Sequence, residues 1–179
     1  MFLGRLHPIK RVELLIEAAV RLREQGTPVQ LLIAGSGETG YEATLREMAI
    51  RGSLADHVWF LGFVTGTEKL SLCQAADIVV SPSAHESFGY SLVEALACGT
   101  PVVTTKAVNI WPELQQTGGA AICEGNAAAI AAAINGLLSD RQALSQMGQR
   151  GRQGLHAWLE PARVISMYEA MYADCIKSR

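Results

Sequence analysis

The richest run of residues able to do chemistry together is Ser81-Pro82-Ser83-Ala84-His85-Glu86-Ser87-Phe88-Gly89-Tyr90-Ser91-Leu92-Val93-Glu94. A strand ends at Ser81, a loop carries Glu86, and Gly89 opens a helix with Glu94 about one and a half turns in. The first amides of a helix have no intrahelical acceptor, so the N–H groups of Phe88, Gly89 and Tyr90 offer an anion site that the helix dipole reinforces. Glu86 stands just outside that terminus, and Glu94 can return to the same side. Ionised carboxylates only accept hydrogen bonds. Two of them beside a phosphate site therefore suit a ligand with both phosphates and vicinal hydroxyls, such as a sugar nucleotide. The plain alternative makes Glu86 a dipole complement and Glu94 a solvated helix residue. Against it, Glu94 lies between Val93 and Ala95 in an apolar stretch, and a half-buried carboxylate needs a partner.

A second group of cations belongs with the first. Phe2-Leu3-Gly4 reads as a short strand, followed by Arg5-Leu6-His7-Pro8-Ile9-Lys10-Arg11 and a helix. Arg5 at the strand's carboxyl end and Lys10 at the helix start would hold a diphosphate, Arg by forking two oxygens and Lys as a point charge. Arg11 is expected to be solvated, and His7 to be a cap or an idle surface residue. A third feature competes with these. Gly35-Ser36-Gly37-Glu38-Thr39-Gly40 is a literal GxGxxG between a strand and a helix, the dinucleotide fingerprint. It follows the second strand rather than the first, and the next strand, Val58–Leu61, ends in Gly62-Phe63 instead of the acidic residue that would bind a ribose. A tight turn at a ligand remains, through Gly35 and Gly37, with NAD binding as the alternative function.

The elements that must position these residues alternate. Helical spacing is read over 10–25, 41–51, 67–75, 91–98, 127–138, 140–154 and 161–176. Apolar strands are read at 2–4, 29–34, 58–61, 78–81, 101–104 and 120–123. Short apolar strands alternating with helices imply an α/β fold, one doubly wound Rossmann-like domain with a parallel sheet over residues 1–179. The chain opens inside its first strand, as though cut from something longer. The 179 residues are 49% hydrophobic and 18% charged with net charge −2, which excludes disorder and gives no basic footprint for nucleic acid. No apolar run is long enough for a membrane span, and no signal-peptide h-region is present. Cys73, Cys98, Cys123 and Cys175 have no metal-ligand spacing and read as buried, reduced thiols of a cytoplasmic chain.

Taken together, Gly4-Arg5-Leu6 with Lys10, the Ala34–Gly37 turn, Phe60-Leu61-Gly62-Phe63, and Glu86 through Glu94 with Gly99-Thr100-Pro101-Val102-Val103 resemble the C-terminal, donor-binding domain of family 4 retaining glycosyltransferases of the GT-B fold. The resemblance runs over about residues 1–160, and the glutamates keep that family's E-x7-E spacing. It implies transfer of a hexosyl group from a nucleoside diphosphate sugar to an acceptor hydroxyl with retained configuration. Arg5, Lys10 and the Phe88, Gly89 and Tyr90 amides would hold the diphosphate, and Glu94 the ribose. Glu86 would be the catalytic residue, contacting the transferred sugar and stabilising positive charge at its anomeric carbon. Phe63 and Val64 would border the nucleobase. No metal or other cofactor is implied, and no DxD is present. The implied partner is an N-terminal acceptor domain lacking from this chain, so that the fragment binds donor without turning it over, and the full enzyme could sit at a membrane surface. Two departures stand out: Arg11 where the family usually has Gly, and Lys106-Ala-Val-Asn-Ile-Trp-Pro-Glu113 with a bulky Trp111 where it often has a glycine-rich turn. The apolar stripe of the last helix either packs on this domain's own sheet or crosses to another domain.

Overall fold

The computed structural model describes residues 1–177. Six parallel strands, β1 (Phe2–Leu3), β2 (Leu31–Ala34), β3 (Val58–Gly62), β4 (Val79–Ser81), β5 (Val102–Thr105) and β6 (Ala120–Cys123), form two three-stranded sheets, β1-β2-β3 and β4-β5-β6. Hydrogen bonds of Met1 join them edge to edge: its nitrogen donates to the Ile78 carbonyl at 2.7 Å, and its carbonyl accepts from the Val80 amide at 2.8 Å. The spatial order is therefore β3-β2-β1-β4-β5-β6, and the strand order reverses between β1 and β4. In open α/β sheets ligands bind beyond the carboxyl ends of the strands at such a reversal.

Strand residues alternate between two apolar layers, as a period of two requires. Phe2, Ile33, Val80 and Val103 enter one core with the buried residues of α1 (Val12–Glu24), α2 (Thr39–Arg51) and α6 (Ala127–Leu138). Leu3, Ala34, Val79 and Val102 face the other, against α3 (Gly66–Ala75), α4 (Tyr90–Ala97), α5 (Trp111–Gln116) and α7 (Arg141–Trp158). The helix starts follow from local chemistry. Asn126 caps α6 through a bond from the Ala129 amide, and Asp140 caps α7 through the Gln142 and Ala143 amides.

Three features differ from the sequence reading. The first helix begins at Val12, because Pro8–Lys10 form a separate 3-10 turn capped by the His7 ring, whose Nδ1 accepts from the Ile9 amide. The stretch with Trp111 is a short helix, α5, entered with Pro112 at its first turn, where the missing N–H costs nothing. The cysteines are all free, but Cys73 alone is buried; Cys98 and Cys123 are half-buried and Cys175 is exposed. The last helix, α8 (Pro161–Lys177), leaves Ile165, Met167, Tyr168, Met171, Tyr172 and Ile176 exposed. No helix among the described residues is long and apolar enough to cross a membrane.

Candidate functional site

The reversal between β1 and β4 brings the two predicted clusters together. From β1 the chain passes through Gly4 and the exposed Arg5 to the 3-10 turn, where Lys10 is the last residue. From β4 it passes through Ser81 and Ser83, both buried, to Glu86. The Ala84 amide donates to the Ile9 carbonyl at 2.8 Å, tying the second loop to the first. Lys10 Nζ then donates to Glu86 Oε2, in an ion pair whose side chains are 20% and 21% exposed. Arg5 has no ion-pair partner among the described residues, so its guanidinium is available to an anion.

The Glu86 backbone is held through both its amide and its carbonyl. Its amide donates to the Ala107 carbonyl at 3.0 Å, and its carbonyl accepts from the Asn109 amide at 2.8 Å. The loop after β5 thus fixes the Glu86 backbone, a role that nothing in the 106–113 stretch announced. Burial pushes the Glu86 carboxyl up, but the Lys10 ammonium and the Phe88 and Gly89 amides outweigh it and leave the group below its ordinary value of 4.5. Two of the three amides predicted for phosphate therefore face the Glu86 carboxylate in this structure. Gly89 is the N-cap of α4 at φ 76°, a left-handed conformation that calls for glycine. Tyr90 is exposed and packs on Phe88, with ring centroids 4.8 Å apart.

Glu94 lies on the half-buried side of α4, as its apolar neighbours required, and its partner is Lys69 of α3: Nζ to Oε1 is 2.5 Å, with side chains 26% and 35% exposed. Sequence reasoning demanded a partner without finding it, because α3 and α4 are joined only by the fold. A cleft of about 550 Å³ opens beside Arg5, lined by Gly35, Gly37, Phe63 and Val64 among others. Phe63 is 77% exposed there and Val64 is buried. A second cavity, of about 370 Å³, lies at Leu22, Ile78 and Ile134 and contains none of the predicted site residues.

The GxGxxG turn has a packing explanation. A Cβ at Gly35 would lie 1.8 Å from the Gly4 carbonyl oxygen, and one at Gly37 would lie 1.8 Å from that of Leu6. The glycines let the β2–α2 turn run against the loop after β1, with the Leu6 amide donating to the Ser36 carbonyl at 2.9 Å. The helix that follows has Glu38 as N-cap and Glu42 in its first turn. Two acids at that terminus oppose a diphosphate, so the structure does not favour a dinucleotide at this turn.

The departure at position 11 is also resolved. Arg11 takes the left-handed conformation, φ 53° and ψ 42°, a region that favours glycine. Among the described residues no group of three or more His, Cys, Asp or Glu could hold a metal ion.

The chain is similar to known glycosyltransferases in sequence and in fold. The chain is 37% identical over 168 residues to the D-inositol 3-phosphate glycosyltransferase of Geodermatophilus obscurus, covering 88% of this chain and 37% of that protein. It is 34% identical over 184 residues to the phosphatidyl-myo-inositol mannosyltransferase of Mycolicibacterium smegmatis, covering 99% and 46%. The chain thus spans less than half the length of these relatives. Among solved structures it is similar to Anabaena Alr3699/HepE in complex with UDP and glucose, with a TM-score of 0.78, 27% identity, and coverage of 87% of this chain and 42% of that one. The sucrose-phosphate synthase of Thermosynechococcus elongatus superposes with a TM-score of 0.79 at 27% identity, over 97% and 45%. The α/β fold is that of the C-terminal half of a GT-B architecture. With the family model for glycosyl transferases group 1 matching residues 1–154, the chain belongs to that family.

Proposed function

We propose that this chain is the donor-binding domain of a family 4 retaining hexosyltransferase, and that its donor is a uridine diphosphate sugar. The observation that carries this reading is the pairing of Lys10 with Glu86 at the reversal of strand order, where the loop after β1 also carries Arg5, which has no ion-pair partner among the described residues and lines an open cleft. The UDP bound to Alr3699/HepE supports uridine as the base. Arg5 and Lys10 take the diphosphate, with Lys10 leaving Glu86 for the more highly charged ligand. Phe63 and Val64 border the base, and Glu94 accepts from the ribose hydroxyls. As Lys10 turns to the phosphates, the Phe88, Gly89 and Tyr90 amides join it, and Glu86 faces the sugar.

In the reaction the bond from the anomeric carbon to the β-phosphate oxygen breaks as the acceptor oxygen forms its bond on the same face. The acceptor proton passes to the departing phosphate. Arg5, Lys10 and the helix N-terminus neutralise the charge on the leaving group, the work a metal does in other sites, and Glu86 opposes the positive charge at the anomeric carbon. Configuration is retained because attack and departure share a face. The acceptor site belongs to a second, N-terminal domain of the longer protein. The exposed apolar side of α8 is available to meet it.

Calorimetric titration with UDP, GDP, ADP and NAD tests the reading. UDP is expected to bind saturably, and Arg5→Ala to weaken it about tenfold or more, since a charged hydrogen bond is worth about 1.5–3 kcal/mol. NAD binding that ignores Arg5→Ala would overturn it.

A further inference from the structure

We propose that Lys69 is a positioning residue for nucleoside recognition, holding the Glu94 carboxylate in the orientation that accepts from the ribose. This rests on the donor-site reading given above, and adds to it a residue on an element that carries none of the predicted site residues.

The geometry that points there is the seam between α3 and α4. Cys73, one turn after Lys69, is fully buried, so Lys69 stands on the packed side of α3. Three contacts fix the two helices in register. Lys69 Nζ meets Glu94 Oε1 at 2.5 Å, Cys98 Sγ lies 3.9 Å from the Leu70 carbonyl oxygen, and Thr100 Oγ1 donates to the Cys73 carbonyl at 2.6 Å. Lys69 occupies one carboxylate oxygen and leaves Oε2 to a ligand. The lysine also balances the charge of a half-buried carboxylate.

The two ion pairs of the site then behave differently when ligand arrives. Glu86 shares Lys10 with an incoming diphosphate, which carries more charge than a single carboxylate and displaces it. Ribose is neutral and has nothing to offer an ammonium that a carboxylate does not already supply. Lys69 therefore stays on Glu94, and the pair is retained in the bound state as a preformed acceptor.

The test compares UDP with its 2′,3′-dideoxy counterpart by calorimetry on the wild-type chain, Lys69→Met and Lys69→Arg. The wild type is expected to prefer UDP. Lys69→Met is expected to weaken UDP about tenfold while moving the dideoxy nucleotide by less than about twofold, and Lys69→Arg to keep most of the preference. Equal weakening of both nucleotides by Lys69→Met would assign the lysine to holding α3 against α4 and overturn the proposal. Undiminished preference for UDP in Lys69→Met would overturn it too. If the wild type itself binds neither nucleotide, or does not distinguish them, the ribose role of Glu94 falls and this proposal with it. That failure is visible without any Lys69 variant.

Discussion

At the scale of single residues, two positions carry energy that can be measured. Arg11 sits at φ 53°, where its Cβ crowds the following carbonyl, and its side chain gains only a 3.4 Å contact from Nη1 to the Gly125 carbonyl. Arg11→Gly is expected to stabilise the chain by about 0.5–1 kcal/mol, because relief of left-handed strain exceeds the entropy glycine adds to the unfolded state. Thermal unfolding of the two chains decides it, and a lower Tm for the glycine variant would contradict the strain argument. Glu86 supplies the pH dependence. Its folded value lies below the ordinary 4.5, so its pair with Lys10 contributes stability that is complete above that value and is lost as pH falls through the lowered folded one. The Tm gap between wild type and Glu86→Gln is expected to close on acidification from about pH 7 to about pH 3. A gap independent of pH would mean that the ionised pair contributes nothing. Glu86 and Glu94 were legible in the sequence from their spacing and apolar surroundings. Lys69 was not, because a lysine on a short helix looks like any solvated residue until the fold puts a carboxylate against it.

Among the elements, α7 shows how tertiary contact overrides propensity. Gly148, Gly151 and Gly154 recur every three residues in a helix where each disfavours helix formation relative to alanine by about 1 kcal/mol. Each lies against other backbone: added Cβ atoms would fall 2.0 Å from the Gly99 carbonyl oxygen, 2.8 Å from Gly119 Cα and 2.6 Å from Thr117 Cα. Gly136 in α6 is the internal control, since an added Cβ there meets nothing within 4 Å. Gly148→Ala is expected to lower stability by about 1–2 kcal/mol through overpacking, despite better propensity, while Gly136→Ala raises it by up to about 1 kcal/mol. Denaturant titration of the two variants checks the opposite signs. The starts of α6 and α7 lie within one residue of those read from helical spacing, and the caps at Asn126 and Asp140 that fix them came only with the structure. The helix at Trp111–Gln116 was not legible, because six residues give too little periodicity to stand out from a loop.

For the whole molecule, the strand order and α8 matter most. The order β3-β2-β1-β4-β5-β6 places the ends of β1 and β4 side by side, although Arg5 and Glu86 are separated by most of the first half of the chain. The exposed Met167, Tyr168, Met171 and Tyr172 of α8 form an apolar surface larger than isolated exposed side chains need. Residues 1–179 taken alone are expected to self-associate through it, and Tyr168→Glu with Tyr172→Glu to shift sedimentation toward monomer without lowering Tm. A wild-type chain that stays monomeric at high concentration would show that the stripe is not sticky enough to matter.

The sequence alone determined the alternation of strand and helix, the glycines at Gly35, Gly37 and Gly89, and the two loops that carry charge. Each is written in local patterns: periodicity, turn residues, and short motifs whose members are neighbours in the chain. Only the tertiary structure decided which charges meet. Lys10 with Glu86, Lys69 with Glu94, and the Ala107 and Asn109 groups that clamp Glu86 depend on how helices and loops from distant segments pack around one sheet. That packing is set by burial of many apolar side chains at once, and no single stretch of sequence contains it.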